Sequence, residues 1–514
     1  MALLALSAWR GAASGTTTST TAATAGPDWT VYHGDPAGSG VATSLASVEV
    51  STPAWTSPTL DGTLYGEPLS DGGTIFVATE NDTVYALSAT SGAVDWSTHL
   101  GPPVPSASLP CGDISPTVGV TGTPVLDTAR GELFVVADEL VGGTPMHQLV
   151  GLNTTTGKIE LSQNVDPAGS TPAALLQRTG LALDSGRVVF GYGGNFGDCS
   201  TYHGWVMSVP ETGGTADTFA VDSGPGESQG AVWMGGAAPA VDSAGDIWVT
   251  AGNGSVTTPG HVYDDSDSVL ELSPTLTLLQ YFAPSSWPSD NAADLDFSTG
   301  VGLLPDGQIV AASKSRLAYL LNGTALGGIG GQQAVLQDAC TTVIDGGLAV
   351  DGSTVYLPCV SGPVAVQATG DPASLKVLWT SRVGGGPPIV AGGLVWTVGA
   401  DGVLSGLDPS SGRVVAQADV GRPANHFPTP SAGAGLLLVP SAARVVAFTA
   451  STPTAPTTTS TTTTGRHASA TVATGGRSSG TSPWTLVAAV ASAAVVGIGV
   501  VAWLLRRRRS RGPG

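Results

Sequence analysis

One pattern recurs along this chain and restricts its fold more than any other feature. A short apolar run is followed, five residues after its last apolar residue, by a glycine. Four copies are clear, and their glycines are Gly92, Gly157, Gly214 and Gly412. The spacing is typical of a strand, then a tight turn that needs glycine, then a second strand. The sequence therefore predicts many short antiparallel strands joined by turns.

Looser copies bring the total to eight, and successive copies lie 41 to 65 residues apart. Another short β-run precedes most copies, for example 74–78, 246–250 and 393–397. Several strands in each unit of this length are typical of propeller blades. We predict an all-β fold with an eight-bladed β-propeller, with seven blades as the alternative. The last copy has no following strand, so we expect an isolated strand at 54–60 to complete the eighth blade and close the ring.

Composition supports this fold class and excludes others. The 514 residues include 72 Gly and 36 Pro, and only 11% are charged, which excludes a helical bundle or a coiled coil. Hydrophobic residues make up 41% of the chain, too many for ordinary disorder. The predicted propeller, residues 28–450, holds 11 basic and 39 acidic residues. Such a negative surface repels nucleic acid, so we expect no nucleic-acid partner.

The ends of the chain predict an exported, membrane-anchored protein. Residues 484–505 are 22 residues without a charge, long enough for one transmembrane helix, and 506–514 form a basic tail. Because basic residues stay cytoplasmic, we expect the propeller to be extracellular and the cell membrane to be a partner. Residues 451–483 contain 18 Ser or Thr and predict a disordered stalk. We interpret residues 1–27 as a truncated signal peptide followed by a Thr-rich segment.

The four cysteines, Cys111, Cys199, Cys340 and Cys359, predict disulfides in an exported protein. Three pairings are open. We favour Cys340–Cys359 with Cys111–Cys199, because the first two are close in sequence and lie within one repeat.

Three repeats resemble the tryptophan-docking motif of PQQ-like β-propellers, A-x-D-x-x-T-G-x-x-x-W. Residues 86–96 read ALSATSGAVDW and end on the motif tryptophan, Trp96. Residues 151–158 and 407–412 match the first half, with Leu161 and Ala416 where the tryptophan would stand. The resemblance implies a PQQ-like propeller over residues 28–450. The same repeat serves quinoprotein dehydrogenases and outer-membrane assembly scaffolds, so it predicts fold better than function.

The dehydrogenases of this family hold PQQ and calcium over the central channel, and the resemblance implies candidate residues. Asn253, in a Gly-Asn pair, resembles the calcium ligand. Asp296 resembles the catalytic base or a second calcium ligand, and Asp294 is the neighbouring candidate for cofactor binding. Lys314 resembles the lysine that polarises the quinone. Carboxylate and amide oxygens suit a hard cation.

This sequence departs from the dehydrogenase pattern in three ways. It has no adjacent cysteine pair, no CxxCH haem motif and no glutamate that we can assign to calcium. We therefore favour a binding or scaffold module at the cell surface, which contacts an extracellular protein, a glycan or a small ligand, over an enzyme. A PQQ- and calcium-dependent dehydrogenase of alcohols or sugars is the alternative.

Two further segments are rich in chemically active side chains. Residues 198–205, DCSTYHGW, are dense in polar and aromatic residues and are either a ligand site or, as we prefer, a disulfide-held loop. Residues 264–267, DDSD, lack the spacing of a calcium loop, so we interpret them as a solvated turn.

Overall fold

The computed structural model describes residues 28–425 and 427–451, and these form an eight-bladed β-propeller. The predicted stalk, transmembrane helix, basic tail and signal peptide lie outside the described residues, apart from Ser451. Within the described part of the chain, no helix is long and apolar enough to cross a membrane. Each blade is a four-stranded antiparallel sheet, and eight blades, rather than the alternative of seven, complete the ring.

The first four blades follow one another along the chain. Blade 1 consists of Leu69–Asp71, Thr74–Ala78, Thr83–Ser88 and Val94–His99. Blade 2 consists of Val125–Asp127, Glu132–Val141, Thr144–Asn153 and Ile159–Asn164. Blade 3 consists of Ala182–Asp184, Arg187–Gly194, Trp205–Pro210 and Asp217–Ala220, with Leu175–Leu176 added. Blade 4 consists of Ala240–Val241, Ile247–Ala251, Ser268–Leu272 and Leu278–Ala283, with Gly328–Ile329 added.

The remaining blades complete the ring. Blade 5 consists of Gly302–Leu303, Gln308–Ala312, Ala318–Asn322 and Ala334–Leu336. Blade 6 consists of Ala349–Asp351, Thr354–Leu357, Val364–Gly370 and Ala373–Thr380. Blade 7 consists of Ile389–Ala391, Leu394–Val398, Val403–Leu407 and Val414–Asp419, with Val41–Ala42 added. Blade 8 consists of Ser431–Gly433, Leu436–Ser441 and Arg444–Ser451, and Ser47–Glu49 and Trp55–Thr56 fill its fourth position.

Smaller elements lie in the connections between blades. Val104–Pro105 pairs with Thr117–Val118, and Trp287–Ala293 is the one α-helix of the described residues. Short 3₁₀ turns occur at Ser106–Ser108, Pro172–Ala174 and Met234–Gly236.

The repeats read from the sequence correspond to one position in every blade. All eight copies of the apolar run are third strands, and the β-runs that precede them are second strands. The predicted closing strand is also confirmed, because Trp55 and Thr56 pair antiparallel with Ala447 and Val446. The ring is therefore closed by joining the N-terminal part of the chain to its last described strand.

Tryptophans on the outer strands dock onto the glycine turns of the next blade. The Trp96 indole of blade 1 lies against Gly157 of blade 2 and donates to the carbonyl of Thr154 at 2.9 Å. Trp55 docks in the same way on Gly92 (φ +68°), and Trp379 docks on Gly412 (φ +66°). A Cβ at any of these glycines would collide with the indole ring. The repeated glycine therefore serves the turn and also the contact between blades.

Blade 2 lacks the tryptophan and makes the contact with other groups. Leu161 lies against Gly213 of blade 3. Gln163 donates from Nε2 to the carbonyl of Gly214 at 2.7 Å and accepts from the Gly214 N–H at 2.7 Å. Two side chains thus replace the apolar surface and the hydrogen bond that one indole supplies elsewhere.

An N-terminal plug, residues 29–40, lies across the ring and hydrogen-bonds to the first strands of five blades. Backbone bonds link the plug to Ser70, Leu126, Val241, Val350 and Val390. Its Tyr32 hydroxyl accepts from the Gly347 N–H at 3.1 Å, and the buried His33 N–H donates to Glu67 at 2.8 Å. The plug therefore ties together blades that are distant in sequence.

Several carboxyl groups are buried between blades 1 and 2. Asp138 Oδ2 lies 3.9 Å from His147 Nε2, whereas Asp82 and Glu80 have no cation within ion-pair distance among the described residues. Asp82 is fully buried, and neither of its oxygens has a hydrogen-bond partner. Burial, reinforced by Glu139, Asp138 and Glu80, raises the pKa of Asp82 to about 10. Burial also raises the pKa values of Glu80 and Asp138 to about 7. These groups hold protons in the folded chain that they release when it unfolds.

The docking contact predicts a large difference between two glycine substitutions with similar backbone angles. Gly412→Ala adds a collision with Trp379 to the strain of its positive φ, whereas Gly352 (φ +61°) has nothing within 4 Å. We expect Gly352→Ala to lower the free energy of unfolding by about 1–2 kcal/mol. Overpacking should add about 1–3 kcal/mol for Gly412→Ala. Urea denaturation of both variants measures the difference, and equal losses would contradict the docking role.

The buried carboxyls predict that the propeller is more stable in mild acid than in mild base. The pKa of Asp82 is higher in the folded chain than in the unfolded chain. Its contribution to stability is therefore complete at pH values below its unfolded pKa. That contribution falls as the pH rises toward about 10. Asp82→Asn should therefore reduce the loss of stability between about pH 6 and about pH 9, by up to about 1.4 kcal/mol per pH unit. Urea denaturation at both pH values tests this, with exposed Asp95→Asn as the control. An unchanged pH dependence in Asp82→Asn would contradict it.

Candidate functional site

The longest connections of the propeller lie on its upper face, defined here as the face where the first strand of each blade begins. They include residues 100–124, 165–181, 221–239 and 284–301 between blades, and 195–204 and 252–267 within blades 3 and 4. Long loops positioned by a rigid scaffold are where binding residues concentrate. The upper face of blades 1 to 5 is therefore the region to inspect for a site.

Both predicted disulfides are present and have the favoured pairing. Cys111–Cys199 joins the connection after blade 1 to the loop within blade 3, with Cα atoms 6.2 Å apart. Cys340–Cys359 joins the connection before blade 6 to the loop within that blade, with Cα atoms 5.7 Å apart. Each disulfide cross-links two loops on the upper face.

Three of the four site residues predicted from the sequence meet at one point. Lys314 Nζ lies 2.6 Å from Asp294 Oδ1 and 2.9 Å from Asp296 Oδ1. Asp296 is fully buried, whereas Asp294 is exposed. Burial raises the pKa of Asp296 to about 6 against the opposing effect of Lys314. Although burial lowers it, the two carboxylates raise the pKa of Lys314 above its ordinary value.

Trp233 and Gly252 border this ion pair. Lys314 Nζ lies 5.3 Å from the centre of the Trp233 ring, a cation–π distance. A Cβ on Gly252 would lie 2.5 Å from Asp296 Oδ2 and 3.5 Å from Trp233 Nε1. Only a residue without a side chain permits this approach. Asp296 Oδ2 is buried without a hydrogen-bond partner among the described residues.

Asn253, the fourth predicted residue, follows Gly252 and is half-buried. Its backbone carbonyl accepts from the Gly230 N–H at 2.8 Å. Among the described residues, its side chain makes no hydrogen bond to Asp296 or to any other group. Its peptide therefore borders the site, and its role as a calcium ligand stays a prediction.

The DDSD segment is not the solvated turn that we expected from the sequence. Asp264 and Asp267 are buried, and Asp222 of the preceding connection is buried with them. Burial raises the pKa of Asp267 well above its ordinary value, and Asp296 adds to the effect. Burial and then Asp264 raise the pKa of Asp222 to about 9. The interpretation was wrong because sequence polarity does not reveal that the long loops of blades 3 and 4 cover one another.

Arg178 is the functional candidate that sequence reasoning missed. It precedes the first strand of blade 3, and only 6% of its surface is exposed. Its guanidinium carbon lies 4.8 Å from the centre of the Phe427 ring and 5.7 Å from that of Tyr65. Arg178 forms none of the ion pairs or hydrogen bonds found among the described residues, and burial lowers its pKa. No local motif marks it, because only the folded ring brings these aromatic rings together.

Aromatic contacts connect Arg178 to the predicted site. The Trp233 and Phe427 rings meet edge to face, with centroids 6.3 Å apart. Trp233 contacts Lys314, and Phe427 contacts Arg178. We call this set (Arg178, Phe427, Trp233, Lys314 and Asp296) the mouth site. It combines two cations with aromatic surface.

One acidic trio lies elsewhere, in blade 4. Asp242, Asp246 and Glu271 form the one group of three metal-ligating side chains close enough to share an ion among the described residues. Protein donors already bind two of these carboxylates, since Asp242 accepts from Trp248 Nε1 at 3.1 Å and Glu271 accepts from Gln280. The trio therefore does not require a metal.

Comparison with solved structures supports the fold. Quinohemoprotein alcohol dehydrogenase from Comamonas testosteroni is 15% identical, with a TM-score of 0.61 over 84% of this chain and 82% of that one. A europium-containing methanol dehydrogenase is also 15% identical, with a TM-score of 0.56 over 81% and 90%. BamB from Moraxella catarrhalis is 14% identical, with a TM-score of 0.50 over 77% and 97%. At these identities the likeness shows the fold alone.

Family comparison agrees with the structural comparison. No curated protein matches the sequence. The family model described as outer membrane protein assembly factor BamB matches residues 13–262 and 287–497. Since these ranges cover most of the sequence, the chain belongs to the PQQ-like β-propeller family that this model represents.

Proposed function

We propose that this protein is a recognition module at the cell surface that binds an organic anion at the mouth site. The observation that carries the proposal is the buried guanidinium of Arg178, which has no carboxylate in ion-pair contact among the described residues. A buried charge without a partner destabilises a fold. The carboxyl groups of Glu80 and Asp113 act on it only from beyond ion-pair distance. A ligand that supplies an adjacent negative charge explains why the arginine stands there.

The surroundings of Arg178 indicate the type of anion. A guanidinium binds a carboxylate through two parallel hydrogen bonds. The Phe427, Tyr65 and Trp233 rings offer apolar faces beside the guanidinium and the Lys314 ammonium. A flat carboxylate fits both the charges and the rings. The uncharged segment 484–505 and the basic tail support a membrane-anchored position with the propeller outside.

We expect Arg178→Gln to weaken carboxylate binding and to stabilise the fold. Losing charged hydrogen bonds should reduce affinity about tenfold to a hundredfold. Removing an unpaired buried charge should raise the thermal midpoint. Calorimetric titration of the full-length protein with benzene-1,3,5-tricarboxylate, together with thermal denaturation, measures both effects. Exposed Arg422→Gln is the matched control. Unchanged affinity, or a lower thermal midpoint in Arg178→Gln, would contradict the proposal.

A quinoprotein dehydrogenase is the second candidate, and the convergence of Asp296, Lys314 and Trp233 favours it. The unpartnered Asp296 Oδ2 beside Gly252 fits a bound cation or a polar ligand atom. When bound, PQQ accepts a hydride from an alcohol. The residues of this chain would then hold it: Lys314 would donate a hydrogen bond to a quinone oxygen, and Asp296 would accept the substrate's proton. The missing adjacent cysteines weigh against this candidate.

The two candidates differ in their need for calcium and in turnover. As a dehydrogenase, the protein should bind PQQ more tightly with calcium and reduce a dye with ethanol or glucose as substrate. Lys314→Gln should abolish the rate, whereas exposed Lys376→Gln should not. Carboxylate binding that is independent of calcium, with no dye reduction, would exclude the dehydrogenase and leave the recognition module.

A further inference from the structure

A second cleft opens at blade 3, and it shares no residue with the mouth site. Its volume is about 420 Å³, which is within the usual range for ligand pockets. One wall is the connection between blades 2 and 3, residues 168–171. The other wall is the end of the DCSTYHGW segment, including Tyr202, His203 and Trp205. The sequence had marked this segment as either a ligand site or a disulfide-held loop.

Three polar atoms of the cleft are buried without a hydrogen-bond partner. They are Trp205 Nε1, His203 Nδ1 and Ser170 Oγ. Buried polar groups in folded proteins are nearly always hydrogen-bonded, so three unpartnered groups around one cavity require an explanation. These atoms expose almost no surface to water in this structure, so a ligand with several hydroxyl or carbonyl oxygens would satisfy them after a small rotation of the side chains.

The walls of the cleft are held in place by the fold. Cys199 is bonded to Cys111, and the Tyr202 hydroxyl donates to Asp198 at 2.7 Å. The N–H of Gly204 donates to the carbonyl of Gln229 at 2.7 Å. The segment is therefore a disulfide-held loop and also the wall of a preformed cavity. The loop backbone would therefore need little ordering when a ligand enters, and only the lining side chains would have to rotate.

The lining indicates a neutral ligand that combines hydroxyls with an apolar face. None of the residues that line the cleft is Asp, Glu, Lys or Arg. The indole N–H only donates, whereas the serine hydroxyl and the histidine nitrogen can either donate or accept. The Trp205 and His203 rings meet edge to face, with centroids 6.4 Å apart, and add aromatic surface to the polar atoms.

We propose that the blade 3 cleft binds a neutral saccharide. Sugar hydroxyls both donate and accept, so they match the three unpartnered atoms. The C–H face of a sugar ring matches the aromatic wall. Such a sugar could be free or could be the terminal residue of a glycan. The proposal does not depend on the mouth site and stands if the anion proposal fails.

Calorimetric titration of the full-length protein tests the proposal. The probes are glucose, galactose, mannose and N-acetylglucosamine, each as the free sugar and as its methyl glycoside. We expect at least one probe to bind with a dissociation constant of about 1 mM or tighter. Equal binding of the methyl glycoside indicates a terminal glycan residue, whereas preference for the free sugar indicates a free ligand. Failure of every probe to bind would overturn the proposal.

Three variants link binding to the cleft. Trp205→Phe keeps an aromatic ring and removes the indole donor, so it should weaken binding about three- to tenfold. Ser170→Ala and His203→Ala should weaken it similarly. His261→Ala, at an exposed position outside the cleft, is the matched control and should bind normally. Thermal denaturation verifies that each variant is folded. Unchanged affinity in all three folded cleft variants would place the sugar elsewhere and overturn the proposal.

Discussion

The packing of an indole ring against a glycine turn is the contact on which this propeller depends. Each blade is a small sheet with little core of its own, so its stability comes from its neighbours. Trp55, Trp96 and Trp379 each cover a glycine in the next blade and donate to a carbonyl of the same turn. In blade 2, which lacks the tryptophan, Leu161 supplies the apolar contact and Gln163 supplies the hydrogen bonds. The contact is thus maintained by chemistry that varies from blade to blade.

The N-terminal region completes the ring in two ways. Its strands at Ser47–Glu49 and Trp55–Thr56 close blade 8, which removes an exposed sheet edge. The preceding plug connects the first strands of five blades. A closed and internally braced ring can carry long loops on one face without losing its shape. This rigidity lets the upper face bury polar groups such as the guanidinium of Arg178 and the carboxyl of Asp267, which would be costly on a softer scaffold.

Much of the fold followed from sequence, and part of the site did too. The glycine spacing predicted the third strand of four blades and looser copies of the apolar run predicted the other four, while the isolated strand near Trp55 predicted closure of the ring. Resemblance to the family pointed to Asp296 and Lys314, whose side chains lie 2.9 Å apart in the structure, and their roles stay predictions. It could not identify Arg178 or the burial of Asp267. Their surroundings come from loops of different blades, and no local pattern records which loops meet.

Sequence by itself determined the repeat and the strand that recurs in every blade, because these depend on short-range periodicity. It favoured one of three cysteine pairings, and the structure decided between them. Tertiary structure alone decided which polar groups lose water. Arg178 is one of 11 basic residues in the propeller and looks ordinary in the sequence, as do Ser170 and Trp205. Folding buries the first without a carboxylate in ion-pair contact among the described residues, and it leaves polar atoms of the other two unpartnered beside a cleft. Desolvation depends on everything that packs around a group, so it is decided only when the ring has closed.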